Sequence, residues 1–254
     1  MVTRSLRGWQ NSCINAALKH FSTTPHFFCQ ATPGAGKTRM AAELASRLLE
    51  QDSIDLVMCF APSCQVVEGF RSTFSAVLGK RLDGQIGAVG TAFTYQAMEF
   101  RDEGFWQLLD DYRVLVVFDE IHHCAGHHPT LSSAWGQQIL HRIQDRAAYT
   151  LALSGTPWRS DERAIALARY SSPLGHLICD YRYGLEEAIT DGVCRSPRIV
   201  LLDNQRVKLT EEMGADSTVR MFPSIARLLG ESPVTYEELL RHDEVIDQLL
   251  QETG

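Results

Sequence analysis

The chain has 254 residues, of which 44% are hydrophobic, and carries a formal net charge of −7. This length and apolar content predict a globular protein with one sizeable domain or two small ones. The chain is acidic overall, and its acidic and basic residues are interspersed. This pattern excludes a polybasic surface that would bind nucleic acid by charge alone. The N-terminal stretch MVTRSLRGWQ lacks the apolar run of a secretory signal, and no stretch approaches the roughly 18 apolar residues of a membrane span. A cytoplasmic protein without membrane contact is therefore expected.

The seven cysteines are odd in number and include no C-x-x-C pair. Most of them sit inside apolar runs, which is typical of reduced thiols in a protein core. No disulfide is therefore predicted.

Apolar, β-rich runs alternate with stretches of helical spacing. The runs are HFFCQA (26–31), IDLVMCFA (54–61), VLVVF (114–118), AYTLALS (148–154) and RIVLL (198–202). The helical stretches are TRMAAELASRLLE (38–50), CQVVEGFRSTFSAVL (64–78) and AWGQQILHRI (134–143). Continuous rather than alternating apolar strands predict a parallel sheet that is covered on both faces. The predicted fold class is a doubly wound, mainly parallel α/β sheet, in which ligands bind at the carboxyl ends of the strands.

After residue 203 the sequence becomes polar and helix-prone, and it contains no further buried strand run. Two regions are therefore predicted. Residues 1–203 form the α/β domain, and residues 204–254 form a helical extension or linker.

A phosphate-binding loop is predicted where the first strand ends, in ATPGAGKT (31–38), with Ala31 in place of the usual first glycine. Gly34 and Gly36 let backbone N–H groups face the phosphates, while Lys37 reaches the β and γ oxygens and Thr38 offers its hydroxyl to Mg²⁺. The alternative is a plain strand-to-helix turn. The residues predicted to contact the nucleotide are Thr32, Pro33, Gly34, Ala35, Gly36, Lys37, Thr38 and Arg39.

Two adjacent carboxylates, Asp119 and Glu120, follow the buried run VLVVF at the same predicted sheet edge. Such a pair is costly there unless a cation compensates it, and nucleotide-bound Mg²⁺ would do so. Asp119 is predicted to hold Mg²⁺, and Glu120 to orient or deprotonate the attacking water. The alternative is a capping pair at the start of a helix.

The segment DEIHHCAGHH (119–128) also concentrates four histidines and a cysteine, which are usual zinc ligands. Their spacing does not match that of structural zinc sites, so a zinc site is the less favoured alternative. His122 is expected to lie near the γ-phosphate and to join the catalytic group. The other members are predicted to be loop and surface residues: His123, Cys124, His127 and His128.

ATPGAGKT, DEIHH and LALSGTPWRSDE (151–162), in this order and spacing, resemble motifs I, II and III of superfamily 2 helicases and translocases. Within that superfamily they look like the DExH branch, which includes phage-type and restriction-enzyme motor subunits. The resemblance covers about residues 6–200, and it implies a RecA-like P-loop NTPase domain that uses ATP and Mg²⁺.

The resemblance also assigns roles outside the phosphate loop. In motif III, the hydroxyls of Ser154 and Thr156 would couple Glu120 or His122 to the neighbouring loop. Gly155 replaces an alanine common in the family and is expected to loosen this loop. The alternative for the segment is a turn that ends a strand.

Three further segments are weaker matches. LRGWQ (6–10) resembles the glutamine motif, in which Arg7 and Gln10 would recognise adenine; an ordinary helix-surface glutamine is the alternative. APSCQVVEGF (61–70) and GTAFTYQAM (90–98) fall where motifs Ia and Ib face the nucleic-acid backbone. The candidate nucleic-acid contacts are Pro62, Ser63, Thr94, Tyr95 and Gln96. Plain loop and helix-cap residues are the alternative.

Motors of this family have a second RecA-like domain that supplies arginines to the nucleotide, worth about 10³ to 10⁵ in rate in related systems. No counterpart is recognised in this chain. The resemblance therefore implies the motor domain of an ATP-dependent helicase or translocase, with DNA favoured over RNA. As an isolated monomer it would bind Mg-ATP, hydrolyse it slowly and unwind nothing. Two alternatives remain: the motor of a restriction or defence complex, and an ATP-dependent switch that binds a protein partner.

Overall fold

The structure is a computed structural model that describes residues 5–124, 134–158, 164–172, 175–195, 207–213, 216–232 and 235. The chain divides into two compact units, residues 1–195 and 196–254. This division lies eight residues before the predicted boundary at residue 203. The strand predicted at 198–202 lies outside the described residues.

The larger unit is built on a parallel sheet. Its strands are β1 (His26–Ala31), β2 (Leu56–Ala61), β3 (Gly90–Thr94), β4 (Val114–Phe118), β5 (Tyr149–Ser154), β6 (Arg169–Tyr170), β7 (Leu177–Ile178) and β8 (Tyr181–Tyr183). Six of them form one sheet in the order β3-β2-β4-β5-β1-β8, with every neighbouring pair parallel. The short strands β6 and β7 form a separate antiparallel pair. The prediction of a doubly wound, mainly parallel α/β fold is confirmed.

Helices cover this sheet. They are α1 (Gly8–His20), α2 (Lys37–Glu50), α3 (Cys64–Leu78), α4 (Glu103–Asp111), α5 (Ala134–Gln138) and α6 (Leu185–Thr190). Single 3₁₀ segments follow β3 (Tyr95–Phe100) and β4 (Ile121–His123), and α5 continues as a π-helical turn over Ile139–Ile143. Among the described residues, no helix combines the length and apolarity needed to cross a membrane.

The burial of β4 explains why its sequence is continuously apolar. Leu115 and Val117 pack in the cluster that contains the apolar faces of α1, α2 and α3. Val116 and Phe118 point the other way, into the cluster that contains Trp106 of α4. All five residues of β4 are buried, so neither face of the strand has room for a polar side chain.

Local signals set the ends of the two helices next to the site. Gly36 adopts a left-handed conformation with φ 94° immediately before α2, which glycine tolerates at little cost. The Ser63 hydroxyl accepts a hydrogen bond from the Val66 N–H and caps α3, and Gly79 ends that helix with φ 63°. Because α2 follows β1 and α3 follows β2 after short loops, both helices begin at the carboxyl edge of the sheet.

The described residues of the smaller unit, 207–213 and 216–232, differ from the predicted helical extension. Its strands β9 (Val207–Met213) and β10 (Asp216–Phe222) form an antiparallel hairpin, followed by a short helix α7 (Ile225–Glu231). In β10 the apolar residues Val219 and Met221 alternate with Arg220, which is the period of a strand. The polar, helix-prone composition of the segment concealed this alternation.

Candidate active site

Three loops meet at the carboxyl edge of the sheet, because β4, β5 and β1 are adjacent strands. They are the phosphate loop (31–38) after β1, the Asp119–Glu120 turn after β4, and residues 154–156 at the end of β5. Glu120 connects all three. Its Oε1 lies 3.0 Å from Lys37 Nζ, and its Oε2 accepts a hydrogen bond of 3.2 Å from the Gly155 N–H. The structure thus brings together residues from motifs I, II and III.

The phosphate loop has the backbone shape that its glycines predict. Gly34 and Gly36 have φ of 76° and 94°, and Pro33 and Gly34 are exposed while the Ala35 side chain is fully buried. Lys37 is also buried, and its Nζ donates to the Ala31 carbonyl at 3.3 Å in addition to the Glu120 pair.

The first helical turn after the loop contains two further predicted residues. Thr38 is half-buried at the start of α2. The Arg39 guanidinium is paired with Glu43 one turn along the same helix, at 2.5 Å. Contact of Arg39 with a nucleotide therefore stays a prediction.

Arg7 and Gln10 hold the phosphate loop from the side of α1. The Gln10 amide nitrogen donates to the Gly36 carbonyl at 2.9 Å, and its oxygen accepts from the Arg7 N–H at 2.9 Å. The Arg7 guanidinium donates to the Ala35 carbonyl at 2.6 Å. Gln10 is only 4% exposed, so the alternative of an ordinary surface glutamine is wrong. Adenine recognition by these two residues stays a prediction.

The Asp119–Glu120 turn is strained and highly charged. Glu120 adopts a left-handed conformation, φ 49° and ψ 50°, which non-glycine residues seldom adopt. Burial and the neighbouring Glu120 charge raise the pKa of Asp119 to about 6. Burial also acts to raise the pKa of Glu120, but Lys37, the Gly155 N–H and His122 outweigh it, so this pKa lies below its usual value. Glu120 is therefore ionised at neutral pH.

The donors at this edge fit a magnesium ion. Asp119 Oδ1 is buried without a hydrogen-bond partner among the described residues. Carboxylate and hydroxyl oxygens, such as those of Asp119 and Thr38, are the hard ligands that Mg²⁺ prefers. The Glu120 side chain makes no capping hydrogen bond to the 3₁₀ segment that follows it, which argues against the capping-pair alternative.

Motif III contacts the turn in two ways. The Ser154 hydroxyl and His122 Nδ1 are hydrogen-bonded at 2.9 Å, and Ser154 also accepts from the Thr156 N–H at 3.2 Å. The same His122 nitrogen lies 3.4 Å from Glu120 Oε2. The Ser154 hydroxyl therefore contacts His122, whereas Thr156 contributes its backbone N–H to Ser154. Coupling by these residues stays a prediction.

Gly155 lies where two loops pack closely, and the expectation that it loosens the motif III loop stays a prediction. A Cβ at this position would lie 2.9 Å from Cδ of Pro33 and 3.3 Å from the Ala31 carbonyl. Because a methyl group does not fit this gap, glycine allows residues 154–156 to pack directly on the phosphate loop. The same close approach brings the Gly155 N–H to Glu120.

The other predicted loop and surface residues of the histidine-rich segment (119–128) have different outcomes in the structure. His123 is exposed, as predicted. Cys124 is fully buried and packs in the core beside α4, so its assignment to the surface is wrong. His127 and His128 lie outside the described residues. Within the described part of the chain, no group of three or more His, Cys, Asp or Glu side chains could hold a metal ion.

The predicted nucleic-acid residues lie at the ends of the two strands β2 and β3, whose last residues Ala61 and Thr94 pair in register. Ser63 and Gln96 are exposed, and Pro62 and Thr94 are half-buried. Tyr95 is fully buried, and its hydroxyl donates to the Asp119 carbonyl at 2.8 Å. The prediction that Tyr95 contacts nucleic acid is therefore wrong, since its side chain cannot reach a ligand on the surface.

Asp119 should cost the folded protein stability at neutral pH. An unfolded aspartate titrates near 3.8, whereas this one titrates near 6 in the fold, so the free energy of unfolding falls as pH rises through this window. Asp119→Asn removes the charge and should raise the free energy of unfolding by about 2 to 3 kcal/mol above about pH 7, with no gain below about pH 4.

Urea unfolding without nucleotide or metal at both pH values measures this difference, with the exposed Asp111→Asn as control. A variant that is less stable than the parent at neutral pH would contradict the expectation.

Comparison with known proteins identifies the family of the chain. The family model "Type III restriction enzyme, res subunit" matches residues 3–159. An uncharacterized protein of Mycobacterium leprae is 30% identical over 233 residues, which is 86% of this chain and 37% of that protein. This chain thus spans little more than a third of the length of the curated relatives it matches.

Two solved structures share the fold. The nuclease-deletion mutant of the Type ISP restriction-modification enzyme LlaGI, in complex with a DNA substrate mimic, superposes with a TM-score of 0.55 and 14% identity, over 75% of this chain and 21% of that one. The Sulfolobus solfataricus SWI2/SNF2 ATPase core in complex with double-stranded DNA gives a TM-score of 0.51 and 15% identity, over 65% and 35% of the two chains. The chain belongs to the family of type III restriction enzyme res subunits, and its larger unit is a superfamily 2 RecA-like motor domain.

Proposed function

We propose that this chain is the Mg-ATP-binding motor domain of an ATP-dependent DNA helicase or translocase. The observation that carries the proposal is the position of Glu120, which contacts Lys37 of the phosphate loop and Gly155 of motif III at the same time. A structural ion pair alone would not need the strained backbone at Glu120 or the adjoining His122–Ser154 hydrogen bond.

The chemistry follows from what each side chain can do. The phosphates of ATP would compete with Glu120 for the Lys37 ammonium, which now lies 3.0 Å from Oε1. Once released, the ionised Oε1 can accept a proton from the water that attacks the γ-phosphate. The Gly155 N–H continues to hold Oε2, so the carboxylate keeps its orientation during this exchange.

Asp119 and Thr38 are the residues that would hold Mg²⁺. The ion supplies positive charge to the phosphate oxygens as negative charge shifts between them. The buried, unpartnered Oδ1 of Asp119 supports this assignment, because an unpaired polar atom is otherwise costly in such a place.

The nucleic-acid contacts would lie at the ends of β2 and β3, through Pro62, Ser63, Thr94 and Gln96. The exposed N-terminus of α3 after Ser63 presents backbone N–H groups, which can position phosphates without a basic patch. Few phosphates are neutralised in this way, and the chain is acidic, so binding should be modest and sensitive to salt.

A second RecA-like domain, in the same or a partner chain, completes the proposed motor. The length of the curated relatives, of which this chain matches 37%, supports its presence in the whole protein. Without its arginines the domain should hydrolyse ATP slowly and unwind nothing.

The test is binding of Mg-ATP and ATP hydrolysis by the chain, with and without single- and double-stranded DNA and RNA. We expect Mg-ATP binding that depends on Lys37, slow hydrolysis, and a response to DNA greater than to RNA. Absence of Lys37-dependent Mg-ATP binding would reject the nucleotide site. Efficient unwinding by the 254-residue chain would reject the need for a second domain.

A second candidate is the motor of a restriction complex, which the match to the res-subunit family favours. In that case the whole protein should associate with a DNA-modifying or DNA-cleaving partner. Purification of the full-length protein from its native host, followed by identification of bound chains, distinguishes this candidate from a motor that acts alone.

A further inference from the structure

Tyr95 links directly two regions of the domain that the sheet connects only through the intervening strand β2. It follows β3 directly, between Thr94 and the exposed Gln96. Its ring is fully buried and stacked on Trp135, with the ring centroids 5.6 Å apart and an interplanar angle of 19°. Its hydroxyl donates a hydrogen bond of 2.8 Å to the Asp119 carbonyl.

The peptide that receives this hydrogen bond determines where the two carboxylates point. The Asp119 carbonyl belongs to the peptide between Asp119 and Glu120, immediately before the left-handed residue. On the other side of Asp119, its N–H donates to the Phe60 carbonyl of β2 at 2.9 Å. A non-glycine residue keeps a left-handed backbone only where its surroundings enforce it, and the Tyr95 hydroxyl is one of the groups that do so.

The Tyr95 hydrogen bond joins the ends of two strands that are not neighbours in the sheet. β3 and β4 are separated by β2, so no ladder of backbone hydrogen bonds joins the residues that follow β3 to those that follow β4. The Tyr95 side chain spans that separation. A change at Thr94 or Gln96 is therefore one residue away from a side chain that holds the Asp119–Glu120 turn.

We propose that Tyr95 is a positioning residue that couples contacts of nucleic acid at Thr94 and Gln96 to the Asp119–Glu120 turn. This inference rests on the proposed function, because it presumes ATP at one end and nucleic acid at the other. Tyr95 touches neither ligand, and its role is to carry a shift of the β3 end to the peptide that orients Glu120.

The test is a thermodynamic cycle with Tyr95→Phe, which removes only the hydroxyl. The affinity for Mg-ATP is measured with and without saturating DNA oligonucleotide, and the affinity for DNA with and without Mg-ATP. In the parent chain each ligand should change the affinity for the other by at least about 5-fold, and by the same factor in both directions. In Tyr95→Phe this factor should fall to below about 2-fold, while each ligand alone binds within about 3-fold of the parent.

Tyr181→Phe is the matched control, because its hydroxyl also donates to a backbone carbonyl, that of Trp9, at 3.2 Å. It should leave the coupling factor unchanged. A parent chain that binds both ligands without coupling, or a Tyr95→Phe variant with the full coupling factor, would overturn the inference. Loss of Mg-ATP binding in Tyr95→Phe when DNA is absent would assign Tyr95 a purely structural role and would also overturn it.

A measurement on the parent chain covers the case in which the variant does not fold. The His123 and Cys124 N–H groups are bonded to the Glu120 and Ile121 carbonyls, so their hydrogen exchange reports on the turn. Addition of DNA should change their exchange rates, and unchanged rates would contradict the inference. The proposed function fails separately, if the parent chain shows no Lys37-dependent binding of Mg-ATP.

Discussion

Lys37→Ala is expected to lower the affinity for Mg-ATP by about 100-fold or more. The lysine would make charge-assisted hydrogen bonds to the phosphates, each worth about 1.5 to 3 kcal/mol, and about 2.7 kcal/mol corresponds to 100-fold. The truncation has a second effect, because Glu120 loses the ammonium that lies 3.0 Å away. A half-buried carboxylate without its counter-charge would then repel the incoming phosphates.

Titration of the chain with a fluorescent ATP analogue in the presence of Mg²⁺ measures this effect. Lys80→Ala is the matched control, since Lys80 is an exposed lysine far from the phosphate loop in the sequence. The control should bind like the parent chain, and circular dichroism should confirm that both variants are folded. Retention of the parent affinity in Lys37→Ala would mean that nucleotide, if bound at all, binds elsewhere.

The position of Lys37 between a glycine loop and a helix could be predicted from sequence because its signal is local. Strand, glycine loop and helix follow one another within residues 26–50, and each element shows the pattern expected of it. The four strands β1, β2, β4 and β5 were predicted for the same reason, since burial on both faces leaves a continuous apolar run. The principle that ligands bind at carboxyl ends of parallel strands then placed Lys37 and Glu120 at the same edge.

The burial of Tyr95 could not be predicted from the sequence. A tyrosine between Thr94 and Gln96 at the end of a strand has the composition of a surface loop. Its burial depends on Trp135 and on the Asp119 carbonyl, which is 24 residues away in the chain. A partner that distant leaves no periodic signal, because a hydrogen bond to a backbone carbonyl requires no particular residue type at the acceptor.

Gly155 and Arg7 were assigned to motifs from the sequence, but their contacts were not foreseen. A Cβ at Gly155 would lie only 2.9 Å from Pro33 Cδ. This close approach results from the packing of two loops and has no signal in the sequence of either. Arg7 was paired with adenine by analogy, whereas the structure shows its guanidinium on the Ala35 carbonyl. The Gly155 contact depends on β5 lying beside β1 in the sheet, and strand order is not encoded in any single segment.

Glu120→Gln is expected to reduce the rate of ATP hydrolysis by about 10² to 10⁴-fold while Mg-ATP binding is retained within about 3-fold. The amide keeps the size of the side chain and can still accept the hydrogen bond from the Gly155 N–H. It cannot take a proton from water, so the loss should appear in the hydrolytic step alone. Lys37 is freed from its ion pair at the same time, which favours rather than opposes contact with the phosphates.

Single-turnover hydrolysis of radiolabelled ATP, with DNA present, measures the step directly and is sensitive enough for a slow domain. Glu103→Gln serves as control, because this glutamate is 71% exposed and pairs with Arg142 on the surface. A variant that hydrolyses ATP within about 10-fold of the parent would show that Glu120 is not the general base. A variant that loses binding and hydrolysis together would instead mean that Glu120 acts by holding Lys37 and the phosphate loop in place, since the removed charge would then matter before the water attacks the γ-phosphate.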